Sequence, residues 1–177
     1  MKSIEEQKRE LRAKLKAMPV PQVDENAVAD AVCALEEYKK AKTVFAFISV
    51  KGEPPTRAFI DRAIADGKTV TVPKCYAGGI MEARRIESFE DLIPGMYSIP
   101  EPGENTPPVE RNEIDFALVP AHCFDEQGGR LGKGGGYYDR FLENFSGVKV
   151  GLCFADRVLP KVPMDSWDIS ADVVVAV

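Results

Sequence analysis

Val119-Pro-Ala-His-Cys-Phe-Asp-Glu-Gln-Gly-Gly-Arg-Leu-Gly-Lys-Gly-Gly-Gly-Tyr-Tyr-Asp-Arg-Phe-Leu142 is the stretch on which the reading of this chain turns. Just before it, residues 114–119 form a short apolar run that reads as a buried strand. Beyond it, Tyr138, Phe141, Leu142 and Phe145 fall at i, i+3, i+4 and i+7, the spacing of an amphipathic helix, which Gly147 should stop. Between strand and helix lie Gly128, Gly129, Gly132, Gly134, Gly135 and Gly136, with the cations Arg130 and Lys133. Glycines let successive backbone N–H groups converge, and the first turn of a helix has free donors and a dipole that favours an anion. The stretch therefore reads as strand, phosphate-binding turn and helix.

Two familiar phosphate patterns do not fit. Gly128 to Lys133 is one residue short of the Walker A spacing, and Gly134 stands where Ser or Thr should follow the lysine. Gly132, Gly134 and Gly136 give only part of a dinucleotide pattern, and glycine-rich turns often serve merely as tight connections. Arg130, Lys133 and Asp139 shift the balance: the cations neutralise phosphate oxygens, and a carboxylate in the first helical turn can hold Mg²⁺. The alternative for Asp139 is favourable charge at a helix N-terminus, worth about 0.3–1 kcal/mol.

The rest of the chain is consistent with an α/β domain spanning residues 1–177. Its 177 residues suffice for one core, and 45% hydrophobic with 29% charged residues is an ordinary globular balance. A net charge of −5 argues against nucleic acid as a partner. No apolar run has membrane-spanning length, and the scattered Cys33, Cys75, Cys123 and Cys153 read as reduced thiols of a cytoplasmic protein. Ser3 and Glu6 form a capping box opening a helix to about Met18, with an apolar stripe of Ile4, Leu11, Leu15 and Met18. Lys8 interrupts that stripe, either snorkelling to water or, with Arg12 one turn on, meeting phosphates. Asp24 caps a second helix, and Phe59, Ala63 and Ile64 mark a third. Strands are expected over residues 43–49, 68–73, 80–86 and 148–154, with an irregular proline-rich connection over 94–108. Glu53 falls just past a strand's C-terminal end, where open α/β sheets bind ligands. Helices alternating with apolar strands indicate a three-layer α/β/α sandwich around a mainly parallel sheet.

The run Arg130-Leu-Gly-Lys-Gly-Gly-Gly-Tyr-Tyr-Asp-Arg140, preceded by Val119-Pro120 and Phe124-Asp125, resembles the signature of the 5-formyltetrahydrofolate cyclo-ligase family, also called methenyltetrahydrofolate synthetases. Lys8-Arg-Glu-Leu-Arg12 is similar to that family's N-terminal motif. The resemblance covers nearly the whole chain. It implies a fold like that of sugar-phosphate isomerases and CoA transferases, and ATP- and Mg²⁺-dependent closure of 5-formyltetrahydrofolate, polyglutamylated or not, to 5,10-methenyltetrahydrofolate with release of ADP and phosphate. The formyl oxygen would attack the γ-phosphoryl, and the second nitrogen would then close the ring. It implies ATP contacts from Lys8, Arg12 and the run Arg130, Leu131, Gly132, Lys133, Gly134, Gly135, Gly136, Tyr137 and Tyr138. Folate would meet Ile48, Glu53, Lys133, Gly134, Gly135, Gly136 and Tyr137, with Arg130 and Lys133 catalytic and Asp139 and Asp168 holding Mg²⁺. A monomer is expected. Departures are Lys133, where an aromatic or arginine is often found, and Trp167, where a histidine is common. The competing function is a phosphate- or nucleotide-sensing domain of the same fold without turnover.

Overall fold

A computed structural model describes residues 2–177. The elements run α1 (Ile4–Lys16), α2 (Glu25–Cys33), α3 (Glu36–Lys40), β1 (Thr43–Ala46), α4 (Arg57–Ala65), β2 (Thr69–Tyr76) and β3 (Ile80–Ile86). There follow β4 (Leu92–Pro94), β5 (Pro100–Pro102), β6 (Pro108–Val109), β7 (Phe116–Pro120), β8 (Cys123–Asp125) and β9 (Arg130–Leu131). The chain closes with α5 (Tyr137–Leu142), β10 (Val148–Cys153), β11 (Val158–Leu159) and β12 (Val173–Ala176).

A seven-stranded sheet in the order β12-β10-β7-β1-β2-β3-β6 forms the centre. Its first five strands are parallel, and β3 and β6 add on antiparallel. The period of two within each strand sorts the apolar residues onto two faces. Val44, Ala46, Phe116, Leu118, Val150 and Leu152 meet Val28, Val32, Phe59 and Ile60 of α2 and α4. The intervening Phe45, Ala117, Val119 and Cys153 meet Phe124, Phe141 and Leu142 on the other side. The expected helix–sheet–helix layering is thus built from alternation inside short, fully buried strands.

Four expectations change. The stretch after β7 is not one loop: β8 and β9 form a hairpin, with β11 beside β8. Buried Asp125 closes it, its Oδ1 accepting from Gln127 N and Gly129 N and its Oδ2 from Val162 N. Second, α5 stops at Leu142, leaving Phe145 outside the helix. Arg111 Nη1 collects the carbonyls of Arg140, Phe141 and Glu143, and Asn144 turns left-handed at φ 56°. Third, the proline-rich connection is partly ordered, β5 within it pairing back on β4 as a small hairpin. The expected first strand is also shorter, ending at Ala46, although Phe47 and Ile48 stay buried.

The N-terminal capping box forms as expected, with Glu6 N bonded to Ser3 Oγ at 3.2 Å and Ser3 N to Glu6 Oε2 at 2.9 Å. Leu11, Leu15 and Met18 dock α1 on Cys123, Leu131 and Val162, so the helix rides on the small sheet beside the glycine turn. Among the described residues no helix is long and apolar enough to cross a membrane.

Candidate active site

The chain passes from β1 to β2 on one side and later returns to place β7 on the other side of β1. This reversal of strand order opens a crevice at the C-terminal ends of β1 and β7, the place where open α/β sheets hold their ligands. Residues 47–53 leave β1 at this end and residues 121–136 leave β7.

Glu53 and Lys133 meet across the crevice, Nζ lying 2.5 Å from Oε1. The Glu53 side chain is 8% exposed and that of Lys133 50% exposed. Val50 N donates to Glu53 Oε2 at 2.9 Å, so the carboxylate is the fixed member and the ammonium the one able to turn toward a ligand. Ile48, buried, belongs to the same strand exit.

In the glycine turn the carbonyls are held from behind. Arg12 Nε donates to Gly132 O at 2.8 Å and Arg140 Nη1 to Gly135 O at 3.0 Å. Gly134 and Gly136 take φ of +100° and +70°, a region that suits glycine and lets consecutive amides face one side. Among the described residues no protein acceptor takes the backbone N–H of residues 133–136. A row of free donors is the equipment of an anion cradle. α5 is only six residues long, so the cradle depends on the turn more than on a helix dipole.

The surroundings are positive. The half-buried His122 has its pKa lowered from 6.5, by burial first and then by Lys133, Arg12, Lys16 and Arg157. His122 is therefore neutral at pH 7, and the cations that suppress its charge also attract phosphate.

Several expected residues stand differently from a simple ligand contact. Lys8 does not snorkel: it is buried and its Nζ binds Asp165 Oδ2 at 2.6 Å and Asp168 Oδ2. Burial alone would lower its pKa, but the two carboxylates outweigh it and the shift is upward. Arg130 is also turned inward. Its Nη2 donates to Asp139 Oδ1 at 2.5 Å, and weaker contacts at 3.4 Å reach Pro120 O and Ile169 O. A direct phosphate contact from Arg130 is not available in this conformation; the guanidinium holds Asp139. The Leu131 side chain is buried under α1, leaving only its backbone for a nucleotide. Tyr138 packs edge-on against Phe45 in the core, and Tyr137 packs against the same apolar cluster with its hydroxyl reaching the end of β2. The Tyr137 hydroxyl donates to Tyr76 O at 3.3 Å and lies 3.1 Å from the Tyr97 hydroxyl. The Tyr97 bond, then burial, pushes the Tyr137 pKa up to about 12, so it serves as a neutral donor.

For a magnesium ion the chain offers Asp139 and Asp168. Asp139 Oδ1 accepts from Ile169 N at 3.0 Å, tying it to the residue after Asp168. Asp139 Oδ2 and Asp168 Oδ1 take no hydrogen bond among the described residues, whose groups include no three His, Cys, Asp or Glu able to enclose a metal. Hard oxygens on one or two carboxylates, with phosphates and waters completing the shell, are what Mg²⁺ takes. The donor set fits a nucleotide-bound Mg²⁺ and does not fit a protein-caged one.

No thiol is poised as a nucleophile. Burial pushes Cys123 up to about 12 and Cys75 and Cys153 up to about 11. Sequence reasoning missed Tyr76, Tyr97 and Asp165. The tyrosines carry no local signal, but Lys8 inside an apolar stripe was a signal for buried acids.

The model of the 5-formyltetrahydrofolate cyclo-ligase family matches residues 2–177. The 5-formyltetrahydrofolate cyclo-ligase of Haemophilus influenzae is 30% identical over 167 residues, covering 91% of this chain and 89% of the relative. That of Escherichia coli is 33% identical over 141 residues, covering 76% and 78%. The solution structure of Aquifex aeolicus 5,10-methenyltetrahydrofolate synthetase superposes with a TM-score of 0.83 at 33% identity, over 96% of this chain and 89% of that one. A match running through α1, the crevice and the C-terminal carboxylates alike means that the chain belongs to the 5-formyltetrahydrofolate cyclo-ligase family.

Proposed function

We propose that this crevice closes 5-formyltetrahydrofolate to 5,10-methenyltetrahydrofolate at the expense of ATP. The observation that carries the reading is the row of free N–H donors over residues 133–136, between the Arg12 cation and the Glu53–Lys133 pair at the strand reversal. The donors and cations would take the terminal phosphates of ATP. Glu53, fixed by Val50 N, would accept N–H groups of the folate ring, with Ile48 as apolar wall and the Tyr137 hydroxyl as donor.

The formyl oxygen is a poor leaving group until phosphorylated. It attacks the γ-phosphorus and ADP departs; the second nitrogen then bonds to the formyl carbon and gives up its proton to water, and phosphate leaves. Such a reaction asks for positioning and charge neutralisation rather than a protein nucleophile, in keeping with the raised thiol pKa values and neutral His122. Lys133 turns from Glu53 to the transferring phosphoryl group. Arg130 positions Asp139, which with Asp168 would hold Mg²⁺, and bound Mg²⁺ supplies further neutralisation of phosphoryl oxygens. Kinship with the sugar-phosphate isomerase and CoA-transferase fold belongs to the same proposal and rests on the mixed α/β frame alone.

Purified protein given 5-formyltetrahydrofolate, ATP and Mg²⁺ should develop the near-ultraviolet absorbance of the methenyl product. No rise at high enzyme concentration, with nucleotide still bound, would favour a sensing domain and reject the enzyme.

A further inference from the structure

Two groups assigned to different ligands are spent on each other. Lys8, assigned to phosphate, bridges Asp165 and Asp168, and Asp168 is assigned to the metal. The Lys8 and Asp168 side chains are 9% and 10% exposed, so little water screens them, and Asp165 N also donates to Asp168 Oδ2 at 2.7 Å. A divalent ion arriving at the free Oδ1 of Asp168 meets the buried Lys8 ammonium on the other oxygen of the same carboxylate and is repelled by it. An ammonium cannot leave two carboxylates without another anion to receive it.

The geometry supplies that receiver. Lys8 and Arg12 lie one turn apart on α1, which Leu11, Leu15 and Met18 anchor to the small sheet. Arg12 already reaches Gly132 O, so the same helical face overlooks the glycine turn.

We propose that Lys8 is a resident counter-ion, filling the Asp165–Asp168 pair until a nucleotide arrives and then passing its ammonium to the phosphates as the metal takes its place at Asp168. Asp165 is the positioning residue that holds Lys8 ready. Nucleotide and metal binding then become mutually dependent, each raising the affinity for the other by the same factor. This rests on the reading of Asp168 as a metal carboxylate.

Manganese, a magnesium surrogate, provides the test without nucleotide or turnover. Trp167 is the only tryptophan, is 69% exposed and adjoins Asp168, so its quenching reports Mn²⁺ arriving there. Wild-type protein should show weak quenching by Mn²⁺. Lys8→Gln, whose fold is checked by circular dichroism, should bind Mn²⁺ about 5–150-fold more tightly, the usual span of such couplings. Adding Asp168→Asn to Lys8→Gln should abolish the gain. In wild type, a non-hydrolysable ATP analogue should tighten the Mn²⁺ response, which covers the case of an unfolded variant. Equal Mn²⁺ affinity in wild type and Lys8→Gln would overturn the exchange while leaving the metal assignment standing. Quenching that survives Asp168→Asn would overturn the metal assignment itself, and with it the exchange.

Discussion

Arg130→Ala separates two roles that the signature alone leaves merged. If Arg130 touches phosphate, its loss costs about 1.5–3 kcal/mol of binding or transition-state energy and little stability. The structure points to a stability effect. The Arg130 side chain is 3% exposed and its 2.5 Å bond is to Asp139, which is 22% exposed. Removing one partner of a buried pair costs about 3–5 kcal/mol, and the partial exposure of Asp139 favours the lower end, about 3 kcal/mol. The contacts at 3.4 Å add little. In a domain of this size about 3 kcal/mol lowers Tm by roughly 6–12 °C. Thermal unfolding of wild type, Arg130→Ala, Asp139→Asn and the double variant forms a cycle. The double variant should lose much less than the sum of the singles, because Arg130 and Asp139 mostly serve each other. Activity assayed well below Tm should fall in Arg130→Ala and Asp139→Asn alike. A Tm within about 1 °C of wild type together with a collapsed turnover in Arg130→Ala would refute the inward role and restore a direct phosphate contact.

Lys133→Met should leave stability within about 1 kcal/mol, since the lysine is half exposed, while raising KM for ATP or folate and lowering kcat; unchanged kinetics would remove it from the site. Thiol alkylation at neutral pH should leave turnover intact, because Cys75, Cys123 and Cys153 are held protonated; rapid inactivation that substrate prevents would contradict this. His122 has a folded pKa below its ordinary 6.5, so the unfolded chain binds its proton first and stability falls as pH drops through about 6.5. His122→Gln should flatten the dependence of Tm on pH between about 5 and 7, and an unaltered slope would mean that other groups set it.

What the sequence made legible is what local chemistry decides. The Ser3–Glu6 capping box started α1, and apolar runs marked the buried strands. What stayed hidden was long-range or bridged by a side chain. Asp125 closing the β8–β9 hairpin looks like any loop carboxylate until Val162 N is brought to it. Arg111 ends α5 from a turn some thirty residues upstream, which no helical spacing around Phe141 could show. Lys8 and Asp168 lie at opposite ends of the chain, and a residue standing in an apolar stripe says that a partner is needed but not which one.

The glycine-rich turn carried the family, and the groups around it explain how the proposed phosphate site can persist without phosphate. Clustered cations repel, and a stable ligand-free protein must neutralise them or leave them in water. Here Lys8 takes Asp165 and Asp168, Arg130 takes Asp139, and Lys133 takes Glu53. The three pairings differ in depth: Arg130 and Lys8 are buried, while Lys133 is half exposed and least costly to release. Under the proposed function Lys133 would therefore be the cation first able to follow the transferring phosphoryl group, Lys8 would move only when a stronger anion replaces its carboxylates, and Arg130 would stay as scaffold. That ranking follows from burial, and it places the movable charges in the Lys133 and Lys8 side chains while Arg130 keeps Asp139 in place.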